Sequence, residues 1–186
     1  MVSLLSLWLP ILLSAVIVFV ASSIIHVFLP YHRSDFGRVP DEDLIMESLR
    51  KVGIPPGDYI IPHAGSPEGM KTPEFIEKST KGPAALLTVI PSGPPAMGAS
   101  LIQWFVYCLT VGVFVAYITS RTVAPDSDYM AVFRFAGTSA FMGYVLALMQ
   151  SSIWYKRAWA TTVKNSLDGL VYALLTAGVF GWLWPA

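Results

Sequence analysis

Residues Leu4–Leu29 run for 26 positions without an Asp, Glu, Lys or Arg. A chain in hydrocarbon must satisfy its own backbone N–H and C=O groups, so such a run can enter lipid only as a helix. Pro10 lies in its outer part, where one missing backbone bond is tolerable. Three further stretches follow: about Leu101–Ser120, about Tyr129–Trp154, and about Ser166–Trp184. The third carries no charge from Phe135 to Tyr155, and the fourth none after Asp168. As α-helices they reach roughly 27–39 Å, enough for a ~30 Å hydrocarbon core, the longer ones with tilt. Only 13% of the 186 residues are charged, 54% are hydrophobic, and mean hydropathy is +0.59. Soluble domains carry about 25% charge, so the deficit points to lipid as the main solvent. The expected fold is an all-α integral membrane protein with four transmembrane helices and a small α+β cytoplasmic insertion between helices 1 and 2.

The first run is expected to be an anchor rather than a cleaved leader. It has no basic flank before it and exceeds the 7–15 residues of a signal-peptide core. The expected organisation is a transmembrane helix in 1–30, a cytoplasmic segment in 31–99, and a three-helix transmembrane bundle in 100–186.

Orientation follows from the basic residues. Segment 31–99 and loop 155–165 hold ten of the twelve, Arg33, Arg38, Arg50, Lys51, Lys71, Lys78, Lys81, Lys156, Arg157 and Lys164. Only Arg121 and Arg134 lie on the other side. The excess places the long segment in the cytoplasm and both termini outside the cytoplasm of a cell inner (plasma) membrane. The short loop is the better witness, because long segments count for less. Trp8, Trp182 and Trp184 then fall at the outer interface, and Tyr31, Trp154, Tyr155 and Trp159 at the inner one, as aromatic belts do.

Ten of fourteen prolines lie between Pro40 and Pro95. "PDEDLIMESLRKVG" reads as a short helix, with acids in its first turn, Arg50 and Lys51 in its last, and Gly53 as a stop. "TPEFIEKSTKG" repeats that grammar with Thr72 as N-cap, Pro73 as first helical residue and Gly82 as stop. "GDYIIP" (Gly57–Pro62) and "AALLTVIP" (Ala84–Pro91) suit two short strands that pair. Two strands alone are marginal in water, so the sheet needs support from the helices or the membrane surface. From Gly82 to Ser120 there are 39 uncharged residues. One straight helix of that length would be about 58 Å, so "PSGPP" must break it. Pro83–Gly98 is then packed against the bundle's end or dipped in as a re-entrant loop; surface packing is favoured, since exposed irregular backbone is expensive in lipid.

Net charge is zero, so nucleic acid is not an expected partner. The single cysteine, Cys108, excludes an intramolecular disulfide and a cysteine-based metal site. No phosphate loop, nucleophile elbow, zincin helix or dinucleotide fingerprint occurs, so an enzyme is not expected. His26 sits near the end of the first span and His32 just past it. With His63, Asp35 or Glu42 they offer donors suited to zinc or non-haem iron. Pro30 interrupts any helical register between them, so the spacing encodes no shared face. The favoured reading is geographic: His26 caps the span, His32 is solvated, and neither metal nor cofactor is expected; haem would want histidines on two facing helices. Asp168 is the leading intramembrane candidate. It can pair with Lys164 at i, i+4, bond across to Gln150, Ser151 and Ser152, or line a polar entrance; interhelical bonding is favoured. Gln103 is assigned to interhelical bonds and Arg134 to snorkelling toward Asp126 and Asp128. Small residues at helical spacing (Gly112 with Ala116, Ala136 with Ala140, Gly143, Ala177 and Gly181) let membrane helices approach closely. The first span, richer in Leu, Ile and Val, is expected on the bundle's edge.

"LPYHRSDFGRVPDED", "PPGDYIIP" and "SIWYKRAWATTVKNSLDGLVYALLTAGVFGWLWP", in that order, resemble uncharacterised bacterial four-helix inner-membrane proteins. The resemblance covers nearly the whole chain and implies topology, not a reaction. The expected function is a non-catalytic subunit or scaffold of a larger membrane assembly. Its partners would be lipids and other membrane subunits or further copies of itself. The alternative is a small transporter or channel with a polar relay near Asp168 and Gln150.

Overall fold

The computed structural model describes residues 2–185, and it is mostly helical. Its long helices are α1 (Trp8–Phe28), α4 (Gly98–Thr122), α5 (Tyr129–Tyr144) and α7 (Trp159–Trp182). Between α1 and α4 lie α2 (Glu42–Val52), β1 (Gly57–Ile61), α3 (Pro73–Lys81) and β2 (Ala85–Val89). The short α6 (Met149–Ile153) follows a 3-10 turn at Leu146–Leu148. Two compact units result: one from Met1–Phe36 with Ala96–Ala186, the other from Gly37–Pro95.

In the smaller unit the local signals operate as expected. Gly53 closes α2 in the left-handed region at φ 69°, where a side chain would be strained. The Thr72 hydroxyl accepts the Phe75 N–H and caps α3. The strands pair antiparallel with Gly57 opposite Val89 and Ile61 opposite Ala85. No residue of this unit is fully buried, so local hydrogen bonding rather than a core of its own shapes it.

In the larger unit four helices form a closed ring. α1 packs on α4 and α7, α4 packs on α5, and α5 packs most extensively on α7. The expectation that the first span lies at the edge is corrected: α1 has two helical neighbours, as each of the others does. Ala116, Ala136, Ala140 and Ala177 are wholly buried. A Cβ at Gly112 would lie 3.3 Å from Ile11, and one at Gly143 would lie 3.2 Å from Val111. At Gly181 it would come within 2.7 Å of the Tyr129 ring. Backbones therefore meet closely where side chains are smallest.

Three helical stretches are long and apolar enough to cross a membrane: Leu4–Phe28, Gly98–Thr122 and Tyr129–Ile153, each of 25 residues. α7 has the length, but Lys164, Asn165, Ser166 and Asp168 dilute its apolar character. Its polar groups turn inward; Thr161, Thr162, Asp168 and Thr176 are buried, and Thr162 meets Ser152 at 2.7 Å. The third stretch is not one regular helix as expected. α5 ends at Tyr144, and the Tyr107 hydroxyl donates to the Gly143 carbonyl at 2.6 Å there. A side chain inserted into the backbone ladder is an ordinary cause of such a break.

Gly169 marks the tightest crossing, since a Cβ would meet Val145 Cγ2 at 2.6 Å and the Tyr144 carbonyl at 3.2 Å. Gly169→Ala is predicted to destabilise the bundle by about 1–3 kcal/mol, the range for overpacking. Gly98→Ala, with nothing within 4 Å of its Cβ position, should be neutral or slightly stabilising. Unfolding in mixed micelles of rising denaturing-detergent fraction measures both; equal effects would contradict the packing.

Candidate functional site

The chain leaves α1 at Phe28, and Pro30 begins a 3-10 turn over Pro30–Ser34. That turn folds the chain back beneath the helix. His32 thereby comes to stack on His26, with ring centroids 4.5 Å apart and planes within 8°. The proline breaks the helical register, as expected, but it does not separate the histidines. It brings them together.

From this turn and the residue after it, four side chains reach α7 at Lys164 and Asp168. The Tyr31 hydroxyl donates to Asp168 Oδ1. His32 Nε2 lies 2.8 Å from Asp168 Oδ2, and His32 Nδ1 lies 2.7 Å from Asp35 Oδ2. Lys164 Nζ closes the network, donating to Asp35 Oδ1 at 2.9 Å, the Tyr31 carbonyl at 2.7 Å and Ser34 Oγ at 2.8 Å. Little of it meets solvent: side-chain exposure is 5% for Asp168, 7% for Asp35 and 11% for His32. Buried charges persist only when paired and hydrogen-bonded, and each one here is.

Burial acts most strongly on Asp35 and would raise its pKa. The hydrogen bonds from His32 and Lys164, together with the Lys164 charge, outweigh it and leave the carboxyl below its ordinary 3.8. Tyr31 is pushed upward by burial and then by its bond to Asp168, so its hydroxyl stays protonated.

A cavity of about 510 Å³ opens beside this network, walled by all four long helices. Val27, Met97, Leu101, Trp104, Tyr144 and Leu148 make it largely apolar, and His26, Ser100, Asn165 and Asp168 give it polar points. Trp104 Nε1 donates to Ser22 Oγ at 2.8 Å and holds its ring across the wall, 5.9 Å from that of Tyr172. The Tyr172 hydroxyl is buried and has no hydrogen-bond partner, a condition costly enough to need a reason.

Several expectations change. His32 is not solvated. Lys164 pairs with Asp35 rather than with Asp168. Asp168 bonds to the turn after α1, not to the end of the third stretch. Gln150 is exposed rather than turned to Asp168, and Gln103 is exposed rather than turned to a neighbouring helix. Arg134 is exposed near the start of α5, whose N-terminus Asp128 caps by accepting from Met130 N and Ala131 N. His63 belongs to the smaller unit and has no place in this cluster. Tyr172, Trp104 and Gly169 carry no sequence signal beyond apolar helix. Tyr31 and Asp35 had one, an acid and two rings within a turn of a proline.

The lowered Asp35 pKa carries a sign. Its contribution to stability is complete above the ordinary 3.8 and is lost as pH falls through the lower folded-state value. Wild-type protein is therefore predicted to lose unfolding free energy below about pH 4 more steeply than Asp35→Asn. Parallel acid limbs for the two proteins would remove Asp35 from the network. No protein family matches the chain, and no curated protein or solved structure is significantly similar to it.

Proposed function

We propose that the chain is a four-span protein of the cell inner membrane that binds a small membrane amphiphile at the cytoplasmic end of its bundle. The observation that carries this reading is the cavity: four helices wall it, its surface is mainly apolar, and His26, Ser100 and Asn165 give it polar points. Sites for small molecules have this character, concave and apolar with a few placed polar groups. The fitting occupant has an apolar ring or chain and a polar head that meets Ser100 or Asn165.

Membrane insertion is supported by what the bundle exposes. Leu5, Leu9, Leu12, Val16, Val20 and Ile24 face outward from the first helical stretch, as do Val106, Val113 and Phe114 from α4. An outward apolar surface of that extent suits lipid. Trp8 and Trp182 are exposed at one end of the bundle, and Trp154 and Trp159 at the other, the arrangement of interfacial belts. Arg33, Lys156, Arg157 and Lys164 gather at the cavity's end, which supports a cytoplasmic position. α7 counts as the fourth span because its polar side chains turn to partners inside the bundle.

A scaffold role gives way to this reading because it offers no use for the cavity. A transport role is weaker still. Val115, Val132, Ala136 and Phe180 are wholly buried further along the bundle and close its axis with apolar side chains, where a transport path would want polar groups near the midplane.

Two measurements test the proposal. In a chain with Cys108→Ala, a membrane-impermeant maleimide applied to intact cells should label Asp126→Cys and spare Lys78→Cys. Labelling of Lys78→Cys alone would invert the topology. Native mass spectrometry of protein extracted in lipid discs should show an amphiphile adduct on wild type. Ser100→Trp, which fills the cavity from an exposed position, should abolish it, and Asn165→Leu, which removes a polar lining group, should reduce it several-fold. A wild-type protein as bare as Ser100→Trp would overturn the binding reading.

A further inference from the structure

We propose that His26, His32 and Asp168 form a binding site for a divalent first-row transition-metal ion, with a donor set that suits zinc or ferrous iron. Each of the three offers a ligand atom, and these atoms all lie within 4.8 Å of one another. The inference does not rest on the amphiphile.

Proximity alone would carry little. The stronger argument lies in what holds each ligand from behind. His26 Nδ1 is 2.9 Å from the Ser22 carbonyl, a group that only accepts. The proton of the neutral ring is thus fixed on Nδ1, and Nε2 presents its lone pair. His32 Nδ1 faces the Asp35 carboxylate at 2.7 Å, and that carboxylate is itself held by Lys164. Its Nε2 is directed the same way. Asp168 keeps one oxygen on the Tyr31 hydroxyl and turns the other to His32. Metal-binding histidines almost always donate their second ring nitrogen to a carbonyl or carboxylate, which fixes tautomer and ring orientation. Both histidines here do so, one with each kind of partner.

Binding an ion requires the three ligands to adjust, since separations of up to 4.8 Å among their ligand atoms must close around it. His32 Nε2 and Asp168 Oδ2 are 2.8 Å apart, whereas tetrahedral ligands at about 2.0 Å from zinc stand roughly 3.3 Å apart. The pair must part by about half an ångström, and the proton shared between them leaves as the cation enters. Three protein ligands leave at least one coordination position open, the pattern of reactive rather than purely structural zinc. His26 and Asp168 also line the cavity, so an ion held by them would lie at its wall.

The test uses full-length protein purified without a polyhistidine tag, stripped with chelator, and free of added amphiphile, so its result is separate from the binding reading above. Cobalt(II) is titrated while ligand-field absorption is followed, and zinc(II) and iron(II) are then compared by competition. Wild type should bind one equivalent. His26→Ala alters an exposed side chain and should fold normally, yet weaken binding at least tenfold. Asp35→Asn should weaken it about 10–100-fold, as loss of an outer partner does. His63→Ala should bind as wild type. Stoichiometry well below one in wild type, or undiminished affinity in His26→Ala, would overturn the site.

Discussion

A carboxylate that leaves water must find partners, and in this bundle the demand of Asp168 organises everything near it. Isolated, a buried carboxylate would be prohibitively unstable. Its partners Tyr31 and His32 come from more than 130 residues earlier in the chain. Meeting them requires the exit of α1 to fold back, and that reversal stacks the two histidines. Asp35 and Lys164 then brace the same turn from its other side. One ionisable residue on α7 thus sets the path of a segment that sequence alone would let run freely into solvent.

The same demand explains the character of α7. Of the four long helices it is the one outside the three stretches apolar enough to cross a membrane, and most of its polar side chains are buried. A helix surrounded by helices can carry Thr162, Asp168 and Thr176 inward, because each finds a partner there: Ser152, the Tyr31–His32 pair, and the Tyr172 carbonyl of its own helix. Hydropathy measures a segment as though lipid touched it on every side, so it undervalues such a helix. Close approach at Gly169 completes the arrangement. It draws α7 against the break after α5, and the cavity forms beside that break, where Tyr144 and Leu148 line it instead of filling it.

The cavity and the histidine cluster share Asp168 and His26, and the sharing has chemical meaning. A polar network at the edge of an apolar chamber can orient an amphiphile's head while the chamber takes its body. A cation in that network would face the same space. The smaller unit, by contrast, has helices with well-formed ends and a paired sheet but no buried side chain. Its order comes from caps, turns and strand pairing.

What could be read from the sequence is what local physics decides. Acids, Pro73, Thr72, Gly53 and Gly82 mark helix ends because capping acts within a few residues. The strands at 57–61 and 85–89 were legible from β-branched runs bounded by proline and glycine. The helices able to cross a membrane were legible from length and charge depletion. Tertiary structure alone decided that Pro30 unites His26 and His32, that Lys164 prefers Asp35 to its own helical neighbour, and that Gln103 and Gln150 face outward. The physical reason is range. A cap or a span is settled among neighbours along the chain, whereas the partner of a buried charge depends on which distant segment arrives with the complementary group.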